Sequence, residues 1–184
     1  MKKITGFFFV FLFSILTKTV SSQDFGYKTI DVGGEYQWQP DGLLLNLQLA
    51  FNAKTHSSFV LRAGYNKTTA ASITHNNEEG KGWGGSIGYR YYFSVMPKRF
   101  FIGIKADVWK ETVHWSIPVT ESDTKFLIYQ PGAEIGYTFL INDLFFITPH
   151  FTAAYQIKAN NKGEAVAYGE GFVPLAGIGA GWRF

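Results

Sequence analysis

The amino-acid sequence predicts an all-β chain, an eight-stranded antiparallel up-and-down transmembrane β-barrel, and three observations carry that prediction. Apolar and polar residues alternate with a period of two in eight separate stretches. Each stretch is about 9–12 residues long, close to the roughly 9–11 that a tilted strand needs to cross a hydrocarbon core. The connections alternate too: those after the second, fourth and sixth stretches are short, and those after the third, fifth and seventh are long and polar.

The first strand, Thr29 to Gln39, sets Ile30, Val32, Tyr36 and Trp38 against Asp31, Glu35 and Gln37. Pro40-Asp41-Gly42 is a compact turn, since proline presets φ and glycine accepts a positive one. The second strand opposes Leu43, Leu45, Leu47, Leu49 and Phe51 to Asn46, Gln48 and Asn52; the third opposes Phe59, Leu61, Ala63 and Tyr65 to Val60, Arg62, Gly64 and Asn66. A long polar connection is expected from Lys67 to Trp83. The fourth strand then places Ile87, Tyr89, Tyr91 and Phe93 opposite Ser86, Gly88, Arg90 and Tyr92.

After a short connection containing Pro97, the fifth strand sets Phe100, Ile102, Ile104, Ala106 and Val108 against Gly103, Lys105, Asp107 and Trp109. A second long connection is expected from Lys110 to Lys125. The sixth strand opposes Tyr129, Ala133, Ile135, Tyr137 and Phe139 to Gln130, Gly132, Glu134, Gly136 and Thr138, and Asn142-Asp143 turns the chain tightly. The seventh sets Phe145, Ile147, Phe151, Ala153, Tyr155 and Ile157 against Phe146, Thr148, His150, Thr152 and Gln156. A third long connection, Lys158 to Gly171, leads to the last strand.

That strand, Val173 to Phe184, carries Ile178, Ala180, Trp182 and Phe184 on one face and Gly177, Gly179, Gly181 and Arg183 on the other. It resembles the closing strand of bacterial outer-membrane β-barrels, which commonly ends in Phe with hydrophobic residues spaced by two. The resemblance implies an assembly signal at Gly179, Trp182 and Phe184, read by the barrel assembly machinery; Gly177 stands where a polar residue is usual. Over nearly the whole mature chain the pattern is similar to the small barrels of the OmpA/OmpX type. It implies both termini on the periplasmic side, long loops outside, and a role in surface binding, adhesion or envelope integrity.

The amino-terminal 22 residues read as a secretory signal peptide: Lys2 and Lys3, an apolar run from Phe7 to Leu16 too short for a helical span, and Val20-Ser21-Ser22 before cleavage. Residues 23–184 then form the barrel domain. Removing Lys2, Lys3 and Lys18 from the 17 basic residues leaves 14 against 14 acidic ones, so the net charge of +3 belongs to the leader. A neutral mature chain does not suit nucleic acid. With no Cys there is neither a disulfide framework nor a lipoprotein anchor.

Which face lies inside is decided by glycine and charge. Asp31, Glu35, Arg62, Arg90, Lys105, Asp107, Glu134, His150 and Arg183 share the glycine-rich face, which suits a narrow, side-chain-filled lumen. Four acids match four non-histidine bases there, so internal pairing satisfies them. The opposite face would exceed the few hundred Å2 of apolar patch that a soluble protein shows, and membrane lipid is its expected partner. A soluble lipid-carrying barrel is the alternative reading of the same alternation. Trp38, Tyr129, Tyr155 and Trp182 are placed for interfacial girdles.

Candidate chemistry is sparse. His150-Phe151-Thr152 is faintly similar to the His-x-Ser motif of the outer-membrane lipid A deacylases, which implies ester hydrolysis at a lipid-facing His–hydroxyl pair. Here the hydroxyl is threonine, and strand parity turns both residues inward. A narrow channel is the other alternative. His56, His75 and His114 have no metal-ligand spacing, and no cofactor is expected. Gly82-Trp83-Gly84-Gly85 opens no helix and is not a phosphate loop. Trp83, His114 and Trp115 are the outer-loop candidates for an extracellular ligand, with interfacial anchoring or loop packing as their alternative role.

Overall fold

A computed structural model of the protein describes residues 28–54, 56–70, 76–94, 96–117, 120–162 and 170–184. The signal peptide and His75 lie outside them. Eight strands follow one another: β1 (Thr29–Gln39), β2 (Gly42–Lys54), β3 (Ser57–Ala70), β4 (Asn76–Tyr92), β5 (Arg99–Ile117), β6 (Thr120–Ile141), β7 (Phe145–Lys162) and β8 (Gly171–Arg183). Each pairs antiparallel with its sequence neighbours, and β8 returns to β1 to close the barrel. Closure leaves no open edge, which is how a barrel satisfies its main chain. At the seam the Ile30 N–H donates to the Phe184 carbonyl at 2.9 Å, and the Phe184 N–H returns the bond at 2.8 Å.

Two kinds of end result. At one, the turn end, β6 meets β7 through Asn142 (φ 51°) and Asp143 (φ 56°). The Leu144 N–H closes the turn on the Ile141 carbonyl at 3.1 Å, and positive φ at both central positions matches the twist of the strands it joins. At the other, the hairpin end, the strands run well past the expected boundaries. The polar stretches expected as long connections, 67–83, 110–125 and 158–171, are largely strand: β3 continues to Ala70, β5 to Ile117 and β7 to Lys162. β1–β2 turns tightly there at Pro40-Asp41, and β5 and β6 are paired as far as Ile117 and Thr120.

The lumen is filled by the inward set, and glycines let large neighbours in. A Cβ on Gly177 would come within 2.5 Å of His150 Nε2, and one on Gly84 would overlap the Trp109 ring. Only glycine gives those side chains their room.

Candidate functional site

The interior is layered. Nearest the turn end, Arg183 grips Asp31 with two parallel bonds (Nε to Oδ1 2.6 Å, Nη2 to Oδ2 2.7 Å) and donates from Nη2 to the Pro97 carbonyl at 2.8 Å. Tyr92, Phe101 and Phe146 are buried at this end. The Arg90 guanidinium lies over the Phe101 ring at 4.6 Å, a cation–π contact that leads into the next layer.

The middle layer is charged. Arg62 Nε donates to Glu35 at 3.0 Å, and Arg62 Nη2 donates to Glu134 at 3.1 Å. Arg90 Nε donates to Glu134 at 2.6 Å, while its Nη2 stands 3.8 Å from Glu35. Two arginines thus bridge two glutamates in a ring whose side chains are at most 2% exposed. The planar guanidinium can serve two carboxylates at once, which a lysine ammonium does poorly. Lys105 Nζ stands 3.0 Å from Asp107 and donates to Gln37 Oε1 at 3.2 Å; Gln37 in turn donates to Glu35.

His150 borders the ring, with Nε2 3.8 Å from Glu35 and Nδ1 3.2 Å from its neighbour Thr148's carbonyl. It is buried, as is Thr152, whose hydroxyl has no hydrogen-bond partner among the described residues. Among the described residues no base contacts that hydroxyl, and neither side chain faces the outside where an ester-bearing lipid would lie. The arrangement lacks the nucleophile–base contact that hydrolysis requires.

The layer at the hairpin end is apolar, where a polar, side-chain-filled lumen was expected. Leu44, Trp109, Val113, Phe126, Ile128, Ala154 and Leu175 pack together as a buried apolar cluster. Glu111 is buried beside it and accepts a hydrogen bond from Asn66. The cluster's signal was in the sequence, at Leu44 and at Phe126 and Ile128. Leu44 stands on the inward face of the second stretch, beside Asn46 and Gln48, whereas Phe126 and Ile128 precede the sixth stretch as read from Tyr129.

Three residues expected on outer loops lie on strands instead. Trp83 sits in β4, paired in register with Tyr65 and Lys110, and is 71% exposed on the outer face. Its ring packs edge-on against Tyr65, centroids 5.1 Å apart. His114 lies in β5 and its Nδ1 is 2.8 Å from Asp123 Oδ1 across the β5–β6 hairpin. Trp115 also belongs to β5, opposite Ser122. The structure does not bring the three together into one loop surface. Trp182 and Phe184 are exposed on the outer face of β8, while Gly179 points inward.

The outer face is apolar over most of its height, with Leu47 75% and Ile104 66% exposed. No family model and no curated protein sequence matches the chain. Solved structures do. The N-terminal β-barrel domain of Pseudomonas aeruginosa OprF superposes with a TM-score of 0.52 at 12% identity, covering 86% of this chain and 99% of that one. The chain is similar in fold to small outer-membrane barrels. Ail, the attachment invasion locus protein of Yersinia pestis solved with sucrose octasulfate, gives 0.49 at 12% identity over 86% of this chain and 99% of its own. Neisserial surface protein A gives 0.43 at 11% identity over 89% and 98%.

Proposed function

We propose that the chain is an integral outer-membrane barrel with a closed lumen, periplasmic termini and hairpins projecting outside, serving a structural or surface-binding role. The observation that carries this reading is an inversion of polarity along single strands. In β5, Ile102, Ile104 and Val108 are exposed outward while Lys105 and Asp107 are buried inward. A few residues on, Trp109 and Val113 are buried inward while Lys110 and His114 face out. In β6, likewise, Tyr129 and Ile135 face out below, whereas Phe126 and Ile128 turn inward above with Lys125 outside. One strand is thus sided for a nonpolar solvent over part of its length and for water over the rest. A soluble carrier would be apolar inward throughout.

The level of the switch, near Trp83 and Tyr129, is where a bilayer surface suits aromatic side chains. Beyond it the hairpins stand in water, held by their own small core, and offer a rigid surface to a ligand. The charged ring and the apolar layer above it leave the lumen filled, which supports a barrel without a wide pore. The chain has no Cys, so single cysteines report topology cleanly.

On intact cells, a membrane-impermeant maleimide should label Thr112→Cys and leave Asn142→Cys untouched until the envelope is opened. Labelling of Asn142→Cys on intact cells reverses the orientation. Planar-bilayer recordings should show no large steady conductance; a steady open level refutes the closed lumen. For the binding arm, replacing residues 114–123 by Asn-Gly removes the hairpin above the Val113–Thr124 pair and restores a two-residue turn. Cells carrying that barrel should attach less to host surfaces, and unchanged attachment refutes the binding role.

A further inference from the structure

The outer face of β1–β4 and β8 is not uniformly convex. A groove of about 710 Å3 runs across it, within the size range of ligand sites. Register explains it. One lateral row reads Ala180, Gly34, Leu47, Ala63 and Gly85, small at every position but one. The next row toward the hairpin end reads Ile178, Tyr36, Leu45, Tyr65 and Trp83. Small residues make the floor, and the tall row makes a wall. The row above that places Lys67 directly beside Lys81.

Lys67 and Lys81 both face out, the Lys81 side chain 59% exposed. Glu79 approaches Lys81 only loosely, 3.8 Å away and itself 53% exposed, so solvent screens that pair and leaves the ammonium available. Two adjacent ammonium groups thus stand at the level where the polarity inverts, directly over an apolar groove. Under the bilayer placement proposed above, on which this step rests, that is the height of lipid phosphates.

We infer that the groove holds an acyl chain of a multiply phosphorylated lipid of the hairpin-side leaflet, whose phosphate lies against Lys67 and Lys81. Charge complementarity selects this occupant over a second barrel. Two copies in one membrane share orientation, so a two-fold contact through this face would set each lysine pair against its own counterpart. A lipid phosphate relieves that repulsion, and the chain below it removes the void over Gly34 and Ala63. Void-lining atoms forfeit dispersion contacts, so a chain that fills the groove is held better than one on a smooth wall.

The test is native mass spectrometry of the folded barrel released from a neutral detergent, after exchange with equal amounts of bisphosphorylated lipid A, its dephosphorylated form and phosphatidylglycerol. The native barrel should retain one bisphosphorylated lipid A in preference to the other two. Lys67→Gln and Lys81→Gln should each lower the retained fraction about fivefold. Gly34→Leu with Ala63→Leu should lower it with both lysines in place. A Cβ at Gly34 meets nothing nearer than the Asn46 carbonyl oxygen at 3.9 Å, so this variant fills the groove without disturbing the wall. Lys98→Gln, at the turn end, should bind as the native barrel does.

Equal retention of all three lipids, or retention unchanged in the lysine and groove variants, overturns the site. So does preference for phosphatidylglycerol, or a dimer that the groove-filling variant dissolves. A polypeptide that folds and stays monomeric without detergent removes the bilayer placement as well. A detergent-requiring barrel that binds lipids indiscriminately removes this site alone.

Discussion

The charged ring and the apolar layer above it fill the same barrel at different heights, and they are held by different physics. In the ring, Glu134 receives bonds from both Arg62 and Arg90, and Glu35 is approached by both as well. Each charge has two opposite partners, so the layer is fixed by pairing. In the layer above, Trp109, Phe126 and Leu175 touch through nonpolar surface, so that layer is fixed by shape. The first tolerates almost no change of charge; the second should tolerate changes that keep its volume.

Replacement separates the two. Arg90→Ala strands Glu134 with one partner in a buried site, and unfolding in urea should show a loss of about 3–5 kcal/mol. Arg90→Lys should recover little, because one ammonium reaches two carboxylates poorly. Trp109→Ala should cost about as much, roughly 3–5 kcal/mol, but through an empty cavity. Here Trp109→Phe should recover most of the loss, since the site asks only for nonpolar bulk. If Arg90→Lys is rescued as fully as Trp109→Phe, the contrast between the layers fails.

The outer face sharpens the same contrast, because the two heights face different solvents. Ile104→Lys places a charge in the middle of the apolar belt and should cost about 2–4 kcal/mol in lipid vesicles. Thr112→Lys, on the outer face beyond the inversion, should change stability by about 0.5 kcal/mol or less. Equal costs at the two positions would place both in one medium and remove the bilayer boundary between them.

How much of this was legible follows from the same boundary. Where a strand has lipid on one side and lumen on the other, the period-two pattern is clean. The inward charges at Asp31, Glu35, Arg62, Arg90, Lys105, Asp107, Glu134 and Arg183 and the short-turn end could be read directly. Past the boundary, lysines and threonines occupy the outer face and glycines Gly80 and Gly82 the inner one. Such a segment looks like loop, although it pairs as strand from Asn76 to Tyr92. Trp83 was therefore expected on a loop when it stands in an aromatic row. The ring's connectivity was illegible for a different reason. Arg62 and Glu134 lie 72 positions apart and Arg90 and Glu134 44, and only closure of the barrel brings them together.

A small effect concerns a buried hydroxyl beside the ring. Thr152 is fully buried beside Glu134 in register, yet its Oγ1 has no hydrogen-bond partner among the described residues. A buried polar atom in that state has lost its water and gained nothing in return. Thr152→Val keeps the shape and removes the unpaired group, so it should leave stability unchanged or raise it by about 1 kcal/mol. Thr152→Ser keeps the hydroxyl but deletes a methyl from a packed layer, and should be the less stable of the two. Urea unfolding of the pair in micelles checks the order. If valine proves clearly destabilising, the hydroxyl is bonded in the folded barrel, and the charged layer extends to β7 through Thr152 as well as His150.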